Sequence, residues 1–166
     1  MEREEMMVVE IDSMSVASFH GYGGSPETIA FERMKAWLAS VGVVTGIPPA
    51  MVFGFNNPSP ASGSPNYGYE FWVELPAGTS LAAAAQNEPE VTVKRFDGGR
   101  YAALHHEGTG ESIPATWKRL VELVVAQRHE TGHHQWLEEH FIELGRESEV
   151  LSIDCLAPLA PLRTDR

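Results

Sequence analysis

The chain has 166 residues, about the length of one domain. Its composition, 43% hydrophobic and 21% charged with 15 Gly and 11 Pro, is that of a folded protein and excludes the low-hydrophobicity, high-charge signature of disorder. Twelve Lys and Arg against 23 Asp and Glu leave a formal charge of −11 with no basic stripe, which argues against direct binding to nucleic acid or to an anionic membrane.

The acidic opening, Met1-Glu2-Arg3-Glu4-Glu5, lacks the basic and apolar regions of a signal peptide, and no run approaches the ~18 apolar residues of a membrane span. A cytoplasmic location is expected. Residues 7–20, rich in Val, Ile and Phe, read as strand, interrupted at Asp12-Ser13 by a bend or a tight hairpin. Ser25 as cap, Pro26 at the first helical position and the stripe Phe31, Met34, Trp37, Leu38 and Val41 predict an amphipathic helix over 26–41. Residues 50–55 form a short apolar strand, 56–66 are loop by composition, and 69–75, Tyr-Glu-Phe-Trp-Val-Glu-Leu, alternate cleanly. From Leu75 to Pro89 runs a second connection, in which the alanine run reads as a helical turn. Residues 91–106 are strand again, broken at Asp97-Gly98-Gly99. A second helix opens at Gly110 or Ser112, holds Pro114 in its first turn, and carries Trp117, Leu120, Val121 and Val124 to about Arg128. Residues 135–142 and 149–157 complete six strand segments. The single cysteine, Cys155, lies in the last, which excludes a disulfide framework or a cysteine metal cage and suits a reducing compartment.

The two halves resemble each other. At an offset of 85, Val16-Ala17-Ser18-Phe19-His20 lies over Tyr101-Ala102-Ala103-Leu104-His105 and Gly23 over Gly108; one residue further, Phe31 lies over Trp117 and Met34 over Leu120. A duplicated β-α-β-β unit is the economical reading, repeat one at about 7–75 and repeat two at about 91–158. The expected class is α+β: one domain over 1–166, a mostly antiparallel sheet with two helices on one face and a ligand groove on the other.

The strand–Gly–helix opening, Gly54-Phe55-Asn56-Asn57-Pro58, Tyr69-Glu70-Phe71-Trp72, Gly98-Gly99-Arg100-Tyr101-Ala102 and His106-Glu107-Gly108 resemble the GyrI-like small-molecule-binding domain, the effector-binding module of bacterial multidrug-responsive transcription activators. The most specific piece is Trp136-Leu137-Glu138-Glu139-His140-Phe141, where His140 stands in place of the family's Tyr. The resemblance covers residues 7–158 and implies a groove lined by aromatic rings around one buried Glu, which takes amphipathic, often cationic aromatic compounds. It implies equally that some stand-alone members are hydrolases of strained or electrophilic molecules. This chain looks like the sensor module without a DNA reader.

Glu138 is the leading candidate. Strand alternation puts Trp136, Glu138 and His140 on one face, suited to a groove, and Leu137, Glu139 and Phe141 on the other, suited to helix cover. A carboxylate among aromatic rings carries a desolvation cost that a cation or hydrogen bonds offset. In 69–75, Tyr69, Phe71, Val73 and Leu75 form the core phase, so Glu70, Trp72 and Glu74 point the other way. Trp72, Trp136 and Tyr101, with Phe55, are the candidate ring walls for stacking and cation–π contact, whereas Trp37 and Trp117 read as helix core. The expected ligand-binding set is thus Glu138, Trp72, Trp136, His140, Tyr101, Glu70 and Phe55. Catalysis, if the chain is a hydrolase, rests on Glu138, with no second acid or base placed.

His129-Glu130-Thr131-Gly132-His133 matches H-E-x-x-H, but the apolar stripe has ended and Gly132 sits inside it, so a polar loop is the better reading and zinc hydrolysis the weaker alternative. No G-x-S-x-G or Walker A motif occurs, and Gly21-Tyr22-Gly23-Gly24 is a strand-to-helix turn. The expectation is a binding module without cofactor or metal, its partners being an amphipathic or cationic aromatic small molecule and either a separate regulator protein or a second copy. The alternative is a hydrolase.

Overall fold

A computed structural model of the chain describes residues 5–41, 50–75, 91–142 and 150–163. Eight strands, β1 (Met7–Ile11), β2 (Met14–Gly23), β3 (Val52–Asn56), β4 (Tyr67–Glu74), β5 (Thr92–Phe96), β6 (Gly99–Gly108), β7 (Leu137–His140) and β8 (Leu151–Pro158), and two helices, α1 (Pro26–Val41) and α2 (Ile113–Ala126), are found among them. The class is α+β. The alanine-rich connection after Leu75 lies outside the described residues. No helix among the described residues is long and apolar enough to cross a membrane.

Two compact units divide the chain. One holds the chain up to Ser13, Asp97–Phe141 and the C-terminal segment; the other holds Met14–Phe96 and Ile142. The first has strand order β1-β6-β8-β7, all neighbours antiparallel. The second has order β3-β4-β2-β5, again antiparallel throughout. Each contains the β-α-β-β repeat, β6-α2-β7-β8 and β2-α1-β3-β4, and each is widened by one further strand beside the first of the repeat. Neither Asp12-Ser13 nor Asp97-Gly98-Gly99 is therefore a hairpin: β1 pairs with β6 and β5 with β2, so each break carries the chain from one unit to the other.

In the second unit α1 covers Ala17, Phe19, Val52, Tyr69, Phe71 and Val73, and buries Met34, Trp37 and Leu38 against them. In the first, α2 buries Leu120 and Val124 on Ala102, Leu104, Ile153, Cys155 and Ala157. Each fully buried Leu or Val side chain contributes about 1.5–3 kcal/mol, enough for a short amphipathic helix to be held by its sheet. Val121, read as part of that stripe, is 44% exposed. Gly23 and Gly108 close β2 and β6 at φ 148° and 157°, a conformation L side chains rarely adopt, and they occupy matching places in the repeats.

Candidate functional site

Residues directly opposite in an antiparallel ladder share a face, so the register settles where each candidate points. In the second unit Glu70 pairs with Phe55 and His20, and Trp72 with Phe53 and Ser18, on the face away from α1. The sequence placed Glu70 and Trp72 on that face. Their environment is closed, however. Trp72 is 9% exposed, its ring 4.7 Å from Phe55 and 5.4 Å from Phe96. Its indole N–H donates to Glu70 Oε2, which also accepts from Ser18 Oγ at 2.8 Å and Lys94 Nζ at 2.8 Å, while Asn57 Nδ2 donates to Oε1 at 3.3 Å. Burial by itself would push the Glu70 carboxyl up; the donors from Lys94, Ser18 and Trp72 outweigh it and hold the group below its ordinary range. Lys94 already occupies the place a guest cation would take.

In the first unit Glu138 pairs with Cys155 and His140 with Ile153, both residues of the α2-covered face. Leu137, fully buried, pairs with Leu156 on the opposite face. The alternation read from the sequence holds, but the faces are reversed: Glu138 and His140 point toward the helix, and Phe141, expected under it, is 50% exposed. The physical reason is on α2. Trp117 Nε1 donates to Glu138 Oε2 at 3.1 Å, so the helix supplies a polar partner for the carboxylate instead of an apolar lid. Trp117 is half-buried, and its ring lies 5.9 Å from that of Trp136, which is 41% exposed. Two indoles and a carboxylate thus meet where solvent reaches them. Burial pushes His140, one pleat further on the same face, down to about 4, so its imidazole is neutral near pH 7.

The duplication explains why this place takes a carboxylate in one unit and apolar rings in the other. By register Gly54 matches Glu138, Phe71 matches Cys155 and Tyr69 matches Ile153. Phe71 packs at a tilt against Phe31 at 6.0 Å and edge-on against Tyr69 at 5.0 Å, and a Cβ built on Gly54 would lie 2.2 Å from the Tyr69 hydroxyl. Smaller Cys155 and Ile153 beneath Trp117 leave room there for the Glu138 side chain.

The family model of integron-associated effector-binding proteins matches residues 7–158. The chain belongs to that family. No curated protein matches it in sequence. Among solved structures, the C-terminal domain of EcmrR is similar over 97% of this chain and 100% of that one, with TM-score 0.68 and 12% identity. An integron cassette protein from Vibrio cholerae covers 93% and 95% of the two chains with TM-score 0.52 and 13% identity. SAV2435, solved with tetraphenylphosphonium bound, covers 94% of each with TM-score 0.54 and 11% identity. The resemblance to the GyrI-like domain read from the sequence therefore holds at the level of fold, and small-molecule binding is the property of the effector-binding family.

For an effector-binding protein the remaining candidates are differently placed. Tyr101 is fully buried, its hydroxyl donating to the Gln135 carbonyl at 2.6 Å and its ring edge-on to His134 at 4.8 Å; burial raises its phenol well above 10. It fixes the chain entering β7 and offers no ring face to solvent. The H-E-x-x-H segment is irregular, as its composition indicated, so His129 and His133 are not one helical turn apart. The residue sequence reasoning missed is Trp117, assigned to core because it lies in a helix stripe. The available signal was its alignment with Phe31, a change from a ring without a donor to one with an N–H.

Proposed function

We propose that the chain is a cytoplasmic binding module for amphipathic, aromatic, cationic small molecules, acting as a sensor or sequestering protein together with a separate regulator or a second copy. The observation that carries this reading is the Trp117, Trp136 and Glu138 group: a carboxylate held by one indole beside a second, solvent-accessible indole. Indole faces attract cations by about 0.5–2 kcal/mol, and a carboxylate adds charge complementarity that a neutral guest cannot use. His140, neutral beside them, adds an acceptor without an opposing charge. Glu70, Trp72 and Phe55 shape the second unit and do not touch the guest in this reading; Tyr101 supports the backbone before β7. The tetraphenylphosphonium bound to SAV2435 is a ligand of the chemistry proposed.

The test is calorimetric titration with tetraphenylphosphonium and with neutral triphenylphosphine oxide. Wild type should prefer the cation, and Glu138→Gln should lower cation affinity about tenfold, equivalent to about 1.4 kcal/mol, while binding the neutral compound as before. An unchanged preference in the variant would refute the role of Glu138. The hydrolase reading is supported by the neutral His140 on the Glu138 face. It requires wild type to consume an activated ester or strained ring, followed by mass spectrometry, and Glu138→Gln to stop it.

A further inference from the structure

The H-E-x-x-H segment, which lacks the helix of a zinc site, forms one wall of a cavity of about 420 Å³ in the first unit. That volume suits a small organic ligand. The cavity shares no lining residue with the Trp117, Trp136 and Glu138 group. Its frame is fixed by backbone pairing: Leu159 N–H donates to Arg100 O at 2.8 Å, Ala160 N–H to Glu130 O at 2.8 Å and Gly132 N–H to Pro158 O at 2.9 Å, while His134 Nε2 meets Arg100 O at 2.9 Å. A ligand entering it has little backbone to order, which lowers the entropic cost of binding.

Arg100 is the unusual member. It is half-buried, and its guanidinium makes one hydrogen bond among the described residues, a long one of 3.4 Å to the Ala160 carbonyl. The chain carries 23 carboxylates against 12 Lys and Arg, yet Arg100 has no ion pair among the described residues. Glu10 stands opposite it in the β1–β6 ladder without an ion pair among the described residues, and Glu130, also lining the cavity, is paired with Arg163 at 3.5 Å. A guanidinium has five N–H donors in a planar fork that fits a carboxylate with two parallel bonds. Leu159 and Leu162 give the same cavity an apolar side.

We propose that this cavity binds a small monocarboxylate bearing an aliphatic group, its carboxylate on Arg100 and its aliphatic part on Leu159 and Leu162. Glu10 sets the selectivity, because an acidic side chain opposite Arg100 on the wall repels a dianion more than a singly charged carboxylate. The chain then carries two sites of opposite preference, a carboxylate with indoles for cations and a guanidinium with leucines for carboxylates.

The experiment titrates the full chain with N-acetyl-L-leucine, with N-acetyl-L-leucinamide and with inorganic phosphate, following backbone amide shifts. The acid should give saturable shifts at Thr131, Gly132, Leu159 and Ala160. The amide, which carries a neutral carboxamide in place of the carboxylate, should bind at least about tenfold more weakly, since charge-assisted bonds are the stronger ones. Phosphate should not displace the acid. Arg100→Gln, which keeps a donor for the Ala160 carbonyl, should reduce the acid to the level of the amide; Arg100→Lys, which keeps the charge and loses the fork, should fall between. Equal binding of acid and amide, displacement by phosphate, shifts that map elsewhere, or full acid affinity in Arg100→Gln would each overturn the proposal.

Discussion

Replacing Lys94 with Met tests the buried carboxylate of the second unit. Glu70 is 2% exposed and takes donors from Ser18, Trp72 and Asn57 besides the ammonium 2.8 Å away. Removing one partner of a fully buried ion pair costs about 3–5 kcal/mol. Here three neutral donors remain, and the Lys94 side chain is 40% exposed, so water and salt already weaken the pair; the expected loss is about 1.5–2 kcal/mol. For a chain of this length that is a fall in Tm of about 3–8 °C. The effect should depend on pH with a definite sign. The folded-state carboxyl lies below its ordinary value of 4.5, so its stabilising contribution is complete above that value and lost as pH falls through the lower folded one. Without Lys94 the desolvation is less opposed and the carboxyl moves up, so that in both proteins the group becomes neutral in acid. Scanning calorimetry from pH 7 downward should therefore show the gap between wild type and Lys94→Met closing as Glu70 protonates. A gap that is constant with pH, or below about 0.5 kcal/mol at pH 7, would refute the reasoning, because the buried pair would then contribute no more than a surface one.

Two further outcomes follow from the first unit. His140, pushed down to about 4 by burial, is neutral in the folded state, so its contribution is complete above the ordinary value of 6.5 and lost as pH falls toward 4; His140→Gln should flatten the stability profile over that window in urea melts. Cys155 is fully buried, and burial together with the charges of Glu138 and Asp154 pushes its thiol up to about 12; iodoacetamide at pH 8 should leave the native chain unmodified and alkylate it once urea unfolds it.

The helices and strands were legible because their signals are local. Pro26 and the Phe31, Met34, Trp37 and Leu38 stripe mark α1, and period-two patterns mark β2, β4 and β6. What β1 pairs with was not legible, since a break such as Asp12-Ser13 is the same in sequence whether the chain turns back or moves on to another sheet. The direction of β7 failed for a related reason. Leu137 and Phe141 bracket Glu139, and counting apolar residues assigned them to the helix side, whereas the deciding contact is the Trp117 N–H, 21 positions away, that gives Glu138 a reason to face α2. Periodicity separates two faces; only a partner says which face is which. Glu70 and Trp72 show the same limit: their face was read correctly, but the Lys94 ammonium that closes the site comes from another strand.

The strand exchange at Asp12-Ser13 also sets an order of events during synthesis. Met14–Phe96 contains every strand of the second unit's sheet, so those strands can pair as soon as that stretch has emerged. β1, made earlier, pairs with β6, Met7 against Ala103, about 100 residues later; at translation speeds of about 5–20 residues per second the wait is on the order of 5–20 s. During that interval Met-Val-Val-Glu-Ile is a short β-forming segment without its partner, the kind of sequence that seeks a sheet edge on another chain. The charges of Glu5 just before it and Glu10 within it act as gatekeepers against that encounter.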